Sequence, residues 1–295
     1  MDEFLQRLIV KNWKIGKLTF TFLDALLAVC ITGTGIMLRL AVVEYTVTDS
    51  QKLGAMIIDF ILAFYCGEIV YEYTRHRNKA FLTYAILVIY PTMIANSALW
   101  GKNSVYSVFF FFVGLYYFVL HDKERKKWLG LLAAAVGAVR ALAVFRLSSE
   151  SMNLGWPNFY EIIGKEAFVE LFNQVSVLCL LGILFTMLYV FVKRRIEITK
   201  DMALRLFLFL AILIPYLAPS MPAWAGLTAD IGALVYCMRR PRKFYVPILH
   251  LIVSYSAYAY ALNGETKLPM VLYAVILLAL LVDTGVGIFR EAAKG

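Results

Sequence analysis

The sequence predicts an all-α protein that crosses a membrane about ten times, and three observations predict it. Of 295 residues, 61% are hydrophobic and only 17% charged, with a mean hydropathy of +0.73. Apolar runs of about 20 residues, the length a helix needs to span a bilayer, recur down the whole chain. The charges between those runs alternate. The stretches 7–17, 75–79, 123–127, 193–205, 239–243 and 290–294 hold 22 of the 29 Lys and Arg residues. The intervening stretches hold only Arg39, Lys52, Lys102, Arg146, Lys165 and Lys267, and Arg140 falls inside a run. Cytoplasmic loops of membrane proteins carry the excess of basic residues, so both termini are expected in the cytoplasm. Residues 1–295 then form a single integral membrane domain, with no room for a separate soluble one. The net charge of +9 belongs to these loops and does not point to nucleic acid.

In chain order, the first run, 17–38, follows a basic stretch and carries Asp24 toward the inner side. It is too long for a cleavable signal peptide, and no small-residue cleavage site follows it. The second, 53–73, holds Asp59 toward the outer side and Glu68 toward the inner side. The third, 80–98, contains Pro91, which removes a backbone donor and kinks a helix. Runs 104–120 and 127–147 follow, the latter with Arg140 in its outer half. An outer loop, 146–170, precedes runs 171–192, 203–221 and 223–239, the last with Asp230 near mid-depth. Runs 244–262, with His250, and 268–289, with Asp283 toward the inner side, complete the chain.

Ionisable side chains inside a membrane are costly and mark function or structural pairing. Arg140 stands out, because a guanidinium is always charged and presents a fork of donors suited to phosphate. An ion pair with Asp59 is the competing account. His250 reads as a lone, hydrogen-bonded core residue. Cys30, Cys66, Cys179 and Cys237 fall inside apolar runs and show neither metal spacing nor pairing logic, so they read as buried free thiols. Three scattered histidines do not make a metal site.

The third and fourth runs meet at Tyr90–Ser104, Y-P-T-M-I-A-N-S-A-L-W-G-K-N-S, with Pro91, Asn96, Ser97, Trp100, Gly101, Lys102, Asn103 and Ser104. Taken alone, this is an aromatic interfacial anchor followed by a polar turn. It also resembles the P-x-x-x-x-N-S-A-x-W-G-Q-x-D junction of bacterial GT-C class membrane glycosyltransferases, which use polyprenyl-phosphate sugars. Lys102 stands where that family has Gln, and Ser104 where it has Asp. Gly155-Trp156-Pro157-Asn158-Phe159-Tyr160 resembles the family's F/Y-P-N-x-Y outer loop. Lys52 to Ala63 resembles its K-L…F-D-F-x-L-A stretch, and Arg140 its x-F-K-x-Q-A-x-F segment, with Leu142 in place of the Gln. Pro219, Met221 and Gly226 remain from its F-L-P-x-M-H-E-R-Y-G run, whose polar centre reads Pro222, Ala223, Trp224 and Ala225 here.

The resemblance implies transfer of a sugar from a polyprenyl phosphate on the outer face of a bacterial cytoplasmic membrane, in cell-envelope or surface glycan assembly. Glu44 and Asp49, in the first outer loop, are the implied general bases, and their position admits a divalent metal ion in place of any organic cofactor. Arg140 and Lys102 are the implied lipid-phosphate ligands. Asn96, Trp100, Asn103, Trp156, Asn158 and Tyr160 line the implied substrate groove. Membrane lipid, the lipid-linked sugar and another membrane glycosyltransferase subunit are the implied partners. The first outer loop, from Arg39 to Lys52, is too short for the family's acceptor platform. The chain therefore reads as a shortened form that either transfers sugar or only binds and assists. A ten-helix small-molecule or lipid transporter is the alternative, its inner acids relaying protons.

Overall fold

The computed structural model describes residues 13–15, 18–43, 50–100, 104–120, 124–145, 153–163 and 169–292. Strands β1 (Trp13–Ile15) and β2 (Leu18–Phe20) form a short antiparallel ribbon, and nearly everything after it is helix. The ribbon occupies the expected start of the first run. Helix α1 (Phe22–Val43) begins later because Thr21 and Asp24 cap it reciprocally. The Thr21 amide and hydroxyl both donate to Asp24 Oδ2 at 2.8 Å, and the Asp24 amide donates back to Thr21 Oγ1 at 3.3 Å. Such a box satisfies donors that a helix start otherwise leaves orphaned. Asp24 is thus a helix cap rather than a charge deep in the membrane.

Helices α2 (Ser50–Thr74), α3 (Arg77–Val88), α4 (Pro91–Ile94), α5 (Ser104–Leu120) and α6 (Glu124–Phe145) follow. After strand β3 (Asn153–Leu154) come α7 (Phe159–Ile163), α8 (Val169–Lys193) and α9 (Lys200–Leu217). Strand β4 (Met221–Pro222) leads into α10 (Leu227–Arg239), α11 (Tyr245–Asn263) and α12 (Met270–Ala292). A helix covers each of the ten predicted runs. Among the described residues, five helices are long and apolar enough to cross a membrane, or six if the bent pair 77–99 counts as one span. Helix α10 is one that falls short. It has 13 residues, about 20 Å at 1.5 Å per residue, against a hydrocarbon core of about 30 Å. The chain is thus an all-α protein with several membrane-compatible helices. Its outer faces are apolar, with Leu23, Leu26, Val29, Leu178, Phe185 and Leu188 all exposed. Cys30 and Cys179 share that exposed surface, so of the four free thiols only Cys66 is fully buried.

Pro91 bends the third run by 44°. It has no N–H, so the preceding turn closes with Tyr90 donating to the Leu87 carbonyl at 3.1 Å. Past the bend, Ala95–Leu99 widens into a π turn, with the Trp100 amide reaching the Ala95 carbonyl at 3.1 Å. Single π turns commonly mark functional segments.

The bend is held by an ion pair. Arg39, expected in the first outer loop, lies inside α1 and is buried, because the helix runs on to Val43. Its Nη2 donates to Asp59 Oδ2 at 2.9 Å and its Nε to the same oxygen at 3.3 Å. Nη1 donates to the Val88 carbonyl at 2.7 Å, satisfying an acceptor left over where α3 stops. Ser97, on the π turn, donates to Asp59 Oδ2 at 2.5 Å. Asp59 therefore belongs to Arg39 and not to Arg140. Gly35 makes the approach possible: a methyl there would overlap Val88.

A second set of contacts gathers the basic end of the bundle. Arg239 pairs with Asp201 at 2.9 Å and donates to the Tyr73 carbonyl at 2.9 Å. Lys79 donates to the Met238 carbonyl at 3.1 Å. Lys243 and Tyr245 both reach Asp283, at 2.7 and 2.8 Å, and Arg205 reaches Glu291 and the Gly287 carbonyl.

Removing one partner of a buried ion pair strands the other. Arg39→Met is expected to lower stability by about 3–5 kcal/mol, and adding Asp59→Asn to recover most of that loss. Thermal unfolding in detergent measures both. Additive losses in the double variant would disprove the pairing.

Candidate functional site

Three stretches far apart in sequence meet at the end opposite the basic one. Trp100, closing the π turn, stacks on Tyr258 of α11 with centroids 5.0 Å apart and the rings 25° from parallel. Its other contact is edge-on to Trp224, at 5.7 Å. Strand β3 pairs in parallel with β4, Asn153 opposite Met221 and Leu154 opposite Pro222. Gly155, at φ +96°, turns the chain back, and the Trp156 amide donates to the Met221 carbonyl at 3.3 Å. The Trp156 ring then lies over Gly226, where any side chain would overlap the indole and crowd Ser254. The junction, the outer loop and the Pro-x-Met segment thus share one site.

Asn158 and Tyr160 are buried and pin the loop. Asn158 caps the short helix α7, its side-chain oxygen accepting from the Tyr160 amide at 3.1 Å. The Tyr160 hydroxyl donates to the Leu217 carbonyl at 3.0 Å. Burial holds the Glu161 carboxyl on this helix above its ordinary range. Asn96 is fully buried on the π turn; it accepts from Ser104 at 2.8 Å, and its amide nitrogen has no protein partner. Arg140 is exposed, its guanidinium 5.1 Å above the Tyr106 ring, in a cation–π contact instead of an ion pair. Glu44, Asp49, Lys102 and Asn103 lie outside the described residues.

Beneath Trp156 lies a group that reading the sequence missed. His250 is not alone. Its Nδ1 sits 2.7 Å from Asp230 Oδ1, and Thr92, one residue past Pro91, donates to Asp230 Oδ2 at 2.9 Å. The His250 ring is 5.9 Å from the Trp156 ring. His250, Ser254 and Tyr258 fall at i, i+4 and i+8, one face of α11, and all are buried. Each keeps one polar atom with no protein partner: Nε2, Oγ and the phenol oxygen, as does the Trp156 indole nitrogen. That spacing was the available signal. The Nδ1–Oδ1 hydrogen bond to Asp230 fixes the imidazole and leaves Nε2 as its unpartnered nitrogen. Among the described residues, no three His, Cys, Asp or Glu side chains gather to hold a metal ion.

No family model, curated protein or solved structure matches the chain.

The Gly226–Trp156 contact is testable. Gly226→Ala is expected to cost about 1–3 kcal/mol of stability, as overpacking does, and adding Trp156→Leu is expected to recover part of it. Denaturation followed by tryptophan fluorescence reads both, and a neutral Gly226→Ala would show that the ring does not sit there.

Proposed function

We propose that this chain is a GT-C-like integral membrane protein of cell-envelope or surface glycan assembly. It crosses the membrane about ten times with both termini in the cytoplasm, and it binds a polyprenyl-phosphate-linked sugar at the outer face. The observation that carries this reading is the meeting of Asn96–Trp100, Gly155–Tyr160 and Met221–Gly226 at one site. These are three of the stretches in which the sequence resembles those glycosyltransferases. Trp100 and Trp224, half-buried here, are the rings offered to a sugar, with Trp156, Tyr258 and the unpartnered polar atoms packed behind them. Arg140, exposed above Tyr106, supplies the cation for the lipid phosphate. Glu44 and Asp49 supply the base where sugar is transferred.

The transporter alternative needs mobile acids, and the inner acids are occupied. Asp24 caps α1 and pairs with Arg77 at 3.1 Å, Asp283 pairs with Lys243, and Glu68 accepts from Tyr116.

Topology is checked first. A cysteine at Ile162, exposed in the outer loop, is expected to react with an impermeant maleimide from outside, and one at Arg195 only after permeabilisation. Outside labelling at 195 would overturn the span assignment.

Binding and transfer come second. Titration of a polyprenyl-phosphate sugar is expected to change tryptophan fluorescence. Arg140→Lys weakens binding and Arg140→Ala nearly eliminates it, both without loss of melting temperature, since no buried carboxylate is stranded. Glu44→Ala with Asp49→Ala is expected to reduce transfer by ~10²–10⁴-fold. Lipid binding unchanged in Arg140→Ala would remove Arg140 from the site. Binding without any transfer by the unaltered protein would assign the chain to the assisting form.

A further inference from the structure

Helix α1 touches the rest of the bundle at its two ends and leaves a groove between. Toward its C-terminal half it is fixed by Arg39 on Asp59, by Gly35 against Val88, and by Thr32 Oγ1 at 2.6 Å from the Tyr84 hydroxyl. At its start it is fixed by Asp24 on Arg77, at 3.1 Å. Between these points α1, α2 and α3 enclose a groove of about 1010 Å³.

The groove is polar at one end only. Leu27, Val29, Phe60, Phe64, Phe81 and Tyr84 form its walls, and the Tyr84 hydroxyl is turned away onto Thr32. Asp24, Arg77 and Asn78 line the other end, where the bundle carries Lys79, Arg239, Arg240 and Lys243. Leu27, Val29, Ile61 and Leu82 on the rim are exposed, so the groove opens sideways onto the hydrocarbon. From Asp24 to Ile31 it runs about 10 Å along α1, most of one leaflet's hydrocarbon depth of about 15 Å.

We infer that this groove is a binding site for one glycerophospholipid of the leaflet at the basic end. An acyl chain fills the apolar trough, and the phosphate joins Asp24 on the Arg77 guanidinium and takes the exposed Asn78 amide. An amphiphile is the ligand class that fits walls of hydrocarbon closed by a charged mouth. A phosphate is the head that fits a guanidinium fork on a basic rim. The site is separate from the proposed outer-face sugar site and does not rest on it.

The test is native mass spectrometry of the full chain in detergent, with dioleoyl phosphatidylglycerol and dioleoylglycerol offered at equal concentration. These lipids share their chains and differ in the phosphoglycerol head. The phosphatidylglycerol is expected to be retained about tenfold better, the scale of a charge-assisted hydrogen bond. Ala28→Phe, which fills the trough, is expected to abolish retention of that bound lipid. Asp24→Asn with Arg77→Gln, which removes both charges together, is expected to abolish the preference for phosphate. Ala85→Leu fills the trough from the opposite wall and stands in where Ala28→Phe does not fold. Equal retention of the two lipids, or undiminished retention in the filled variants, would overturn the proposal.

Discussion

The buried Arg39–Asp59 pair is the constraint on which the rest of the architecture depends. Two opposite charges 20 residues apart in sequence, on adjacent helices, are withdrawn from solvent, with side-chain exposures of 1% and 0%. Such a pair holds only if its remaining hydrogen-bonding groups are met, because the desolvation cost rivals the attraction. Here the spare Arg39 donors go to the Val88 and Gly35 carbonyls, and Ser97 adds a hydroxyl to Asp59. One guanidinium thereby ties together α1, α2 and both limbs of the bent segment. The Asp59 Oδ1 atom is left without a protein partner, so the pair is tightly but not completely satisfied.

That tie fixes everything outward of the bend. With Pro91 stopping α3 and Ser97 anchored to Asp59, the π turn is set, and Thr92 and Trp100 point in defined directions. Thr92 meets Asp230, which orients His250; Trp100 meets Tyr258 and Trp224. The polar face of α11 and the aromatic cap above it are two readings of one short segment. The opposite end is built differently, from part-exposed ion pairs among Asp201, Arg239, Arg240, Lys243, Asp283 and Glu291. Pairs of that kind contribute little each, about 0–1 kcal/mol, and align helix ends more than they stabilise the core.

The arrangement also separates two environments. Among the described residues, the end opposite the basic one holds rings and unpartnered hydroxyl, indole and imidazole atoms. The basic end holds the groove between α1 and α3, apolar within and charged at its mouth.

The sequence by itself determined that the chain is helical and built for a membrane. The length of apolar runs is a local property, and so is the alternation of basic stretches between them. It also singled out Asp59, Asp230, His250 and the Asn96–Trp100 junction, since polar residues within apolar runs are conspicuous. Partners were a different matter. From sequence, Arg140 is one candidate partner for Asp59, because both lie toward the same side, while Arg39 falls where a loop is expected. A helix end is uncertain by a few residues, and here those residues carried the guanidinium inside. His250 read as a hydrogen-bonded core residue, which it is, but its partner comes from another helix; Asn158 and Tyr160 gave no sign of their roles as cap and strut. Which side chains meet is set by how helices cross, and crossing is fixed by close contacts such as Gly35 on Val88 and Gly226 under Trp156. Those contacts join residues distant in the chain, so only the tertiary structure decided them.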